Sequence, residues 1–215
     1  MIPSLITTLN DALDFLKQHQ PMPSYTESSP DLWTKYLNSL LIVDDNYCEE
    51  SIPLVLNSFG GKYEDIPDLI WNLGWNYEVE TLLPHFLKGL SSSNKYTRVF
   101  TLCCMESTSF DDEIFVYGDL INSIVQCIDD PFEAVREHAI CMLEDLERGG
   151  IYDSLKHKEF IRHCYMKETD KQVKSQYSNV PDSLEAVLDL LPDREVAHLP
   201  IEWSYTPWEE VHKDK

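Results

Sequence analysis

A chain of 215 residues with 43% hydrophobic content can bury about 70% of the surface its unfolded form exposes, which excludes wholesale disorder. Its 38 Asp and Glu against 17 Lys and Arg leave a formal charge of −21, so nucleic-acid phosphates and anionic membranes are expected to be repelled and a basic partner attracted. Only 7 glycines and few β-rich runs argue against a sheet protein.

The first stretch, MIPSLITTLNDALDFLKQ, reads as a helix over residues 3–19 with Leu5, Leu9, Ala12, Leu13 and Leu16 inward. It has no basic leader and carries Asp11 and Asp14, so it does not read as a signal peptide. No apolar run approaches the ~20 residues of a membrane span, and a cytoplasmic location is expected. Residues 20–30 are a Pro- and Ser-rich connector. A helix over 31–43 then carries Leu32, Tyr36, Leu40 and Val43 on one face. A third helix, 49–59, stops at Gly60-Gly61, and a fourth, 63–75, presents Ile66, Leu69, Ile70 and Leu73.

The clearest pattern lies at 120–146. Leu120, Ile121, Ile124, Val125 and Ile128 form one apolar stripe, and Val135, Ala139, Met142, Leu143 and Leu146 form another. In the turn between them Asp130 is expected as N-cap, Pro131 as first helical residue and Glu133 as the reciprocal cap, with Gly149-Gly150 as the stop. Shifted by 38 residues the unit recurs: Leu82, Phe86, Leu90, Arg98 and Met105 fall on Leu120, Ile124, Ile128, Arg136 and Leu143. In the other direction Met166, Val173, Lys174 and Tyr177 fall on Ile128, Val135, Arg136 and Ala139. Two helices per period of this size are the mark of stacked helical hairpins.

Asp129, Asp130, Pro131, Val135, Arg136 and Ala139 resemble the HEAT-type repeat, a helix followed by an Asp/Pro turn, then Val-Arg and a small residue one turn on. The flanking copies depart from it, with Ser91 to Asn94 in place of the acidic turn and Thr169-Asp170 without proline. The resemblance implies an all-α, right-handed α-solenoid of HEAT-like hairpins, period about 38 residues, with roughly ten to eleven helices. It divides one solenoid domain, 1–215, into a cap and divergent repeat over 1–77, repeats over 78–191 and a strap over 192–215. A closing helix is expected at 181–191. In the strap, Trp203, Tyr205 and Trp208 either seal the last repeat or anchor a partner. Arg98, Arg136 and Lys174 stand in register and are expected to pair with turn carboxylates of the neighbouring repeat.

No catalytic constellation emerges. The seven histidines show no HExxH spacing, and GxGxxG, P-loop and GxSxG motifs are absent. The six cysteines form no CxxC pair and are read as reduced core residues, so no enzyme activity, cofactor or metal site is expected. HEAT-like repeats include DNA glycosylases, but those need a basic concave face that this composition lacks.

Between 111 and 147 Arg136 is the only Lys or Arg among eleven carboxylates. Asp111, Asp112, Glu133, Glu137, Glu144 and Glu147 are the expected partner-binding carboxylates, joined by Trp203, Tyr205 and Trp208. Glu133, Glu137 and Glu144, spaced by four and seven, are expected on the polar side of one helix as an acidic trough, the alternative being an ordinary solvated face. A small, acidic, non-catalytic helical repeat protein is similar to bacterial immunity or antitoxin proteins. That resemblance implies a monomer when free that occludes the cleft of a basic, nuclease-like toxin domain. A general HEAT-type scaffold or adaptor is the alternative function.

Overall fold

The computed structural model describes residues 6–20, 30–46, 48–57, 67–110 and 117–176, and these form ten α-helices, one 3₁₀ turn at Ser154–His157 and no strand. The helices are α1 (Leu9–Gln18), α2 (Pro30–Asn46), α3 (Ser51–Leu56), α4 (Pro67–Asn76) and α5 (Val79–Leu90), followed by α6 (Lys95–Glu106), α7 (Gly118–Cys127), α8 (Glu133–Arg148), α9 (Lys158–Lys167) and α10 (Lys171–Gln176). Consecutive helices pack in pairs, α1 on α2, α3 on α4, α5 on α6 and α7 on α8. Alternate helices also stack, α1–α3–α5–α7 in one row and α2–α4–α6–α8–α10 in the other. Apolar stripes at steps of three and four face into the space between the rows, where Leu16, Tyr36, Ile52, Phe86, Leu102 and Met105 are fully buried.

The helix boundaries follow local capping chemistry. Thr8 Oγ1 accepts the Asp11 N–H at 3.2 Å, so α1 starts at Leu9 rather than at residue 3. The expected inward set holds at Ala12, Leu13 and Leu16, which are buried. The expected helices at 31–43, 49–59 and 63–75 correspond to α2, α3 and α4, with α2 longer and the other two shorter within the described residues. The closing helix at 181–191 and the aromatic strap lie outside the described residues.

The expected capping box at the start of α8 does not form. The helix begins at Glu133 behind Phe132, two residues later than the Pro131 start, and no side chain caps it. The Asp130 carboxylate instead accepts the Phe132 N–H at 2.8 Å and is held by Arg98, which takes it out of reach of the first helical turn. At the other end the stop is a Schellman motif. Gly150 adopts φ +74°, its N–H reaches the Glu147 carbonyl at 3.0 Å, and the Ile151 N–H reaches the Leu146 carbonyl at 2.8 Å.

α4 and α6 approach closely through Gly74. A Cβ there would sit 2.4 Å from the Cys104 carbonyl oxygen and 2.0 Å from Ser107 Oγ, which itself bonds the Trp71 carbonyl at 3.1 Å. In an exposed helix interior Gly→Ala stabilises by about 1 kcal/mol. Here the sign reverses: Gly74→Ala is expected to lower stability by about 1–3 kcal/mol, because a main-chain carbonyl must move. Denaturant unfolding of the variant checks this, and an unchanged or raised midpoint would show that the α4–α6 approach is looser.

Candidate functional site

The turns that precede α6, α8 and α10 repeat one hydrogen-bond arrangement. Ser92 Oγ accepts the Asn94 N–H at 3.2 Å, Asp130 Oδ1 the Phe132 N–H at 2.8 Å, and Glu168 Oε1 the Asp170 N–H at 2.9 Å. The arginine six residues after the first two of these grips the turn: Arg98 Nη1 donates to the Ser92 carbonyl at 2.7 Å and Arg136 Nη1 to the Asp130 carbonyl at 3.0 Å. Each guanidinium then reaches forward to the next turn. Arg98 donates Nε to Asp130 Oδ2 at 2.7 Å and Nη2 to Oδ1 at 2.9 Å; Arg136 donates Nε to Glu168 Oε2 at 2.7 Å and Nη2 to Oε1 at 3.0 Å. These planar two-point pairs use the fork geometry that only arginine supplies. The sequence reading expected this ladder for Arg98 and Arg136. It placed Lys174 on a third rung, whereas Lys174 Nζ lies 4.7 Å over the Tyr165 ring of its own hairpin. The turn position in register, residue 206, is outside the described residues.

The ladder makes stability depend on pH. The Glu168 side chain is only 3% exposed. Burial opposes its charge, but Arg136 and the Asp170 and Thr169 N–H groups outweigh it and hold the carboxyl below its ordinary 4.5. A depressed folded value means this stabilisation is complete above 4.5 and is lost as pH falls through the folded value. Glu168→Gln is therefore expected to flatten the dependence of unfolding free energy on pH below 4.5. Equal acid slopes for the two proteins would contradict the assignment.

The acidic face differs in membership from the expected trough. Glu133 is exposed at the start of α8. Glu137 is half-buried and accepts Gln172 Nε2 at 2.9 Å. Glu144 does not project into solvent: at 3% exposure it is buried and its carboxylate is engaged by Arg148 of the same helix. The spacing misplaced it because α8 is covered by α6, α7 and α10, which widens the buried arc. Glu147 is half-buried. Asp111, Asp112, Trp203, Tyr205 and Trp208 lie outside the described residues.

The structure brings a different group together. Burial raises the Cys141 thiol to about 12; His138 pulls it down, while Glu106, Glu137 and Glu144 push it further up, so three carboxylates surround that point of α8. Burial also raises Asp145 above the ordinary carboxylate range, with Arg148 opposing and Glu106 adding to the rise. Glu106 comes from α6 and the others from α8. On the same seam His138 Nδ1 lies 2.7 Å from Glu106 Oε1, and Cys103 Sγ lies 3.7 Å from the imidazole nitrogens. Burial opposes charge on His138, but the neighbouring Cys103 and Glu106 outweigh it and hold the imidazolium well above its ordinary value.

No spacing within a single segment signals this cluster. Cys103 and Glu106 are one helical turn apart, and His138 arrives from the next hairpin. Applying the 38-residue shift to helix faces rather than to apolar positions would have found it. No protein-family profile, no curated protein and no solved structure matches this chain.

Proposed function

We propose that the chain is a right-handed α-solenoid of HEAT-like hairpins, and that it is a non-catalytic binding module for a basic protein. The finer reading is an immunity-type protein that covers the cationic cleft of a toxin domain. The observation that carries it is the carboxylate group on α8 beside α6, Glu137 and Asp145, with Glu133 at the head of the same helix. Asp145 is held above its ordinary value, by burial first and then by Glu106, in spite of Arg148. A carboxylate in that condition is a destabilised anion. A cationic surface placed over Asp145, Glu137 and Glu133 adds charge partners, so complementarity supplies specificity and a fast encounter. The net charge of −21 extends the same field and speeds association through steering.

The reading makes a genetic prediction. An immunity gene is expected directly downstream of a gene for a long secreted protein with a basic C-terminal domain. Expression of that domain alone should arrest growth, and co-expression with this chain should restore it. Growth arrest that co-expression leaves unchanged would sink the immunity reading.

A further inference from the structure

The seam between α6 and α8 carries a donor set that a salt bridge does not explain. Glu106 and His138 are complete as an ion pair at 2.7 Å. Cys103 adds a sulfur to them, and the three donor atoms all lie within 4.8 Å of one another. A tetrahedral ion with bonds of about 2.0–2.3 Å spaces its ligand atoms about 3.4–3.8 Å apart. Cys103 Sγ and the His138 nitrogens already stand 3.7 Å apart, the Glu106–His138 pair must open from 2.7 Å, and any wider separation must close from within 4.8 Å. Cys103 and Glu106 point the same way because they are three residues apart on one helix, and rotation about their side-chain bonds suffices for the adjustment.

Periodicity supplies a second observation. The Cys-x-x-Glu pair recurs one period on, at Cys141 and Glu144. The residue in register with His138 is not histidine elsewhere: it is Phe100, a buried core residue at 3% exposure, and Gln176. The imidazole therefore replaces an aromatic core residue on the helix that faces a Cys-x-x-Glu pair. Cys103 is half-buried while its neighbour Cys104 is fully buried, so packing accounts for Cys104 and leaves Cys103 on the seam. Side-chain exposures of 16% for His138 and 22% for Glu106 leave the cluster open to an ion from solvent.

We propose that Cys103, Glu106 and His138 bind one soft divalent cation of the zinc class, stapling α6 to α8. Sulfur, nitrogen and oxygen donors in a set of three select Zn²⁺ or Co²⁺ over Mg²⁺ and Ca²⁺, which require oxygen-rich shells. The fourth position of the tetrahedron is left to solvent. Binding deprotonates both the Cys103 thiol and the His138 imidazolium, and the two protons go to the buffer. The site does not depend on the partner-binding reading, since the staple acts in the free protein.

The test uses the full-length, tag-free, reduced protein and Zn²⁺ or Co²⁺ alone. One equivalent of Zn²⁺ is expected to bind with Kd at or below about 1 μM, unaffected by excess Mg²⁺ or Ca²⁺, and to raise the melting temperature. Co²⁺ is expected to give a thiolate-to-metal charge-transfer band that disappears in Cys103→Ser and persists in Cys141→Ser. Glu106→Gln and His138→Gln should each weaken Zn²⁺ binding by more than about 10-fold. A readout on the unmodified chain covers the case in which a variant does not fold: Zn²⁺ should shield Cys103 from alkylation, read by mass spectrometry, while Cys48 stays reactive. Absent Zn²⁺ binding, unprotected Cys103, or a charge-transfer band lost in Cys141→Ser but kept in Cys103→Ser would each overturn the proposal.

Discussion

Arg136→Ala is expected to destabilise the protein by about 3 kcal/mol, which for a chain of this size lowers the melting temperature by about 6–12 °C. The reason is what it leaves behind. Glu168 is 3% exposed and receives two guanidinium N–H bonds, of 2.7 and 3.0 Å, plus those from Thr169 and Asp170. Removing the arginine strands a buried carboxylate with only the two main-chain donors, and breaking one side of such a pair is far more damaging than never having built it. The Asp130 carbonyl also loses its Nη1 donor. Replacing both partners, Arg136→Met with Glu168→Gln, removes the buried charge while the amide oxygen still accepts the Thr169 and Asp170 N–H groups. The double variant is expected to recover more than half of the loss, a coupling that thermal unfolding of the four proteins in the cycle measures. Lys167–Asp129 serves as a contrast at a similar 2.7 Å, with side chains 61% and 39% exposed. Lys167→Ala should leave the melting temperature unchanged, because solvent screens such a pair. Similar losses in both cases would mean that the ladder is surface decoration.

The second large effect concerns binding. Reversing three charges at once, Glu133→Lys, Glu137→Lys and Asp145→Lys, is expected to weaken capture of a basic partner by at least about 100-fold, with most of the loss at low salt. Glu144 is left out deliberately. Its carboxylate is buried, so a lysine there would test folding rather than recognition. The triple variant should keep the melting profile of the parent, and unchanged affinity in a folded variant would move the binding surface elsewhere.

The fold was legible in the sequence because its period is written twice, once in apolar positions and once in polar ones. Leu82, Leu120 and their companions over 82–146 predicted the buried stripes, and Arg98 and Arg136 predicted the rungs, as found; Met166, in register with buried Ile128, is instead 66% exposed. What failed was local. Asp130-Pro131 has every residue of a capping box, yet Arg98, 32 residues away, takes the carboxylate and delays the helix. A reading confined to neighbours cannot weigh that competitor. Glu168 was overlooked as the second rung for a related reason. Thr169-Asp170 occupies the place of the Asp/Pro turn, while the 38-residue shift of Asp130 lands on Glu168. Glu144 illustrates the limit of helical spacing, which gives the polar side of an isolated helix but not how many neighbours cover it. The Cys103–Glu106–His138 cluster required two helices to be laid side by side, and that information resides in packing.

The most direct test of the binding account is capture of partners from the lysate of the native host, with the tagged parent and the triple charge variant as paired baits, at about 50 mM and about 500 mM salt. The account predicts one dominant basic protein, retained by the parent at low salt, weakened at high salt and lost with the variant. Several partners, or a partner held equally by both baits at both salt concentrations, would contradict it and favour a general scaffold that binds through uncharged surface.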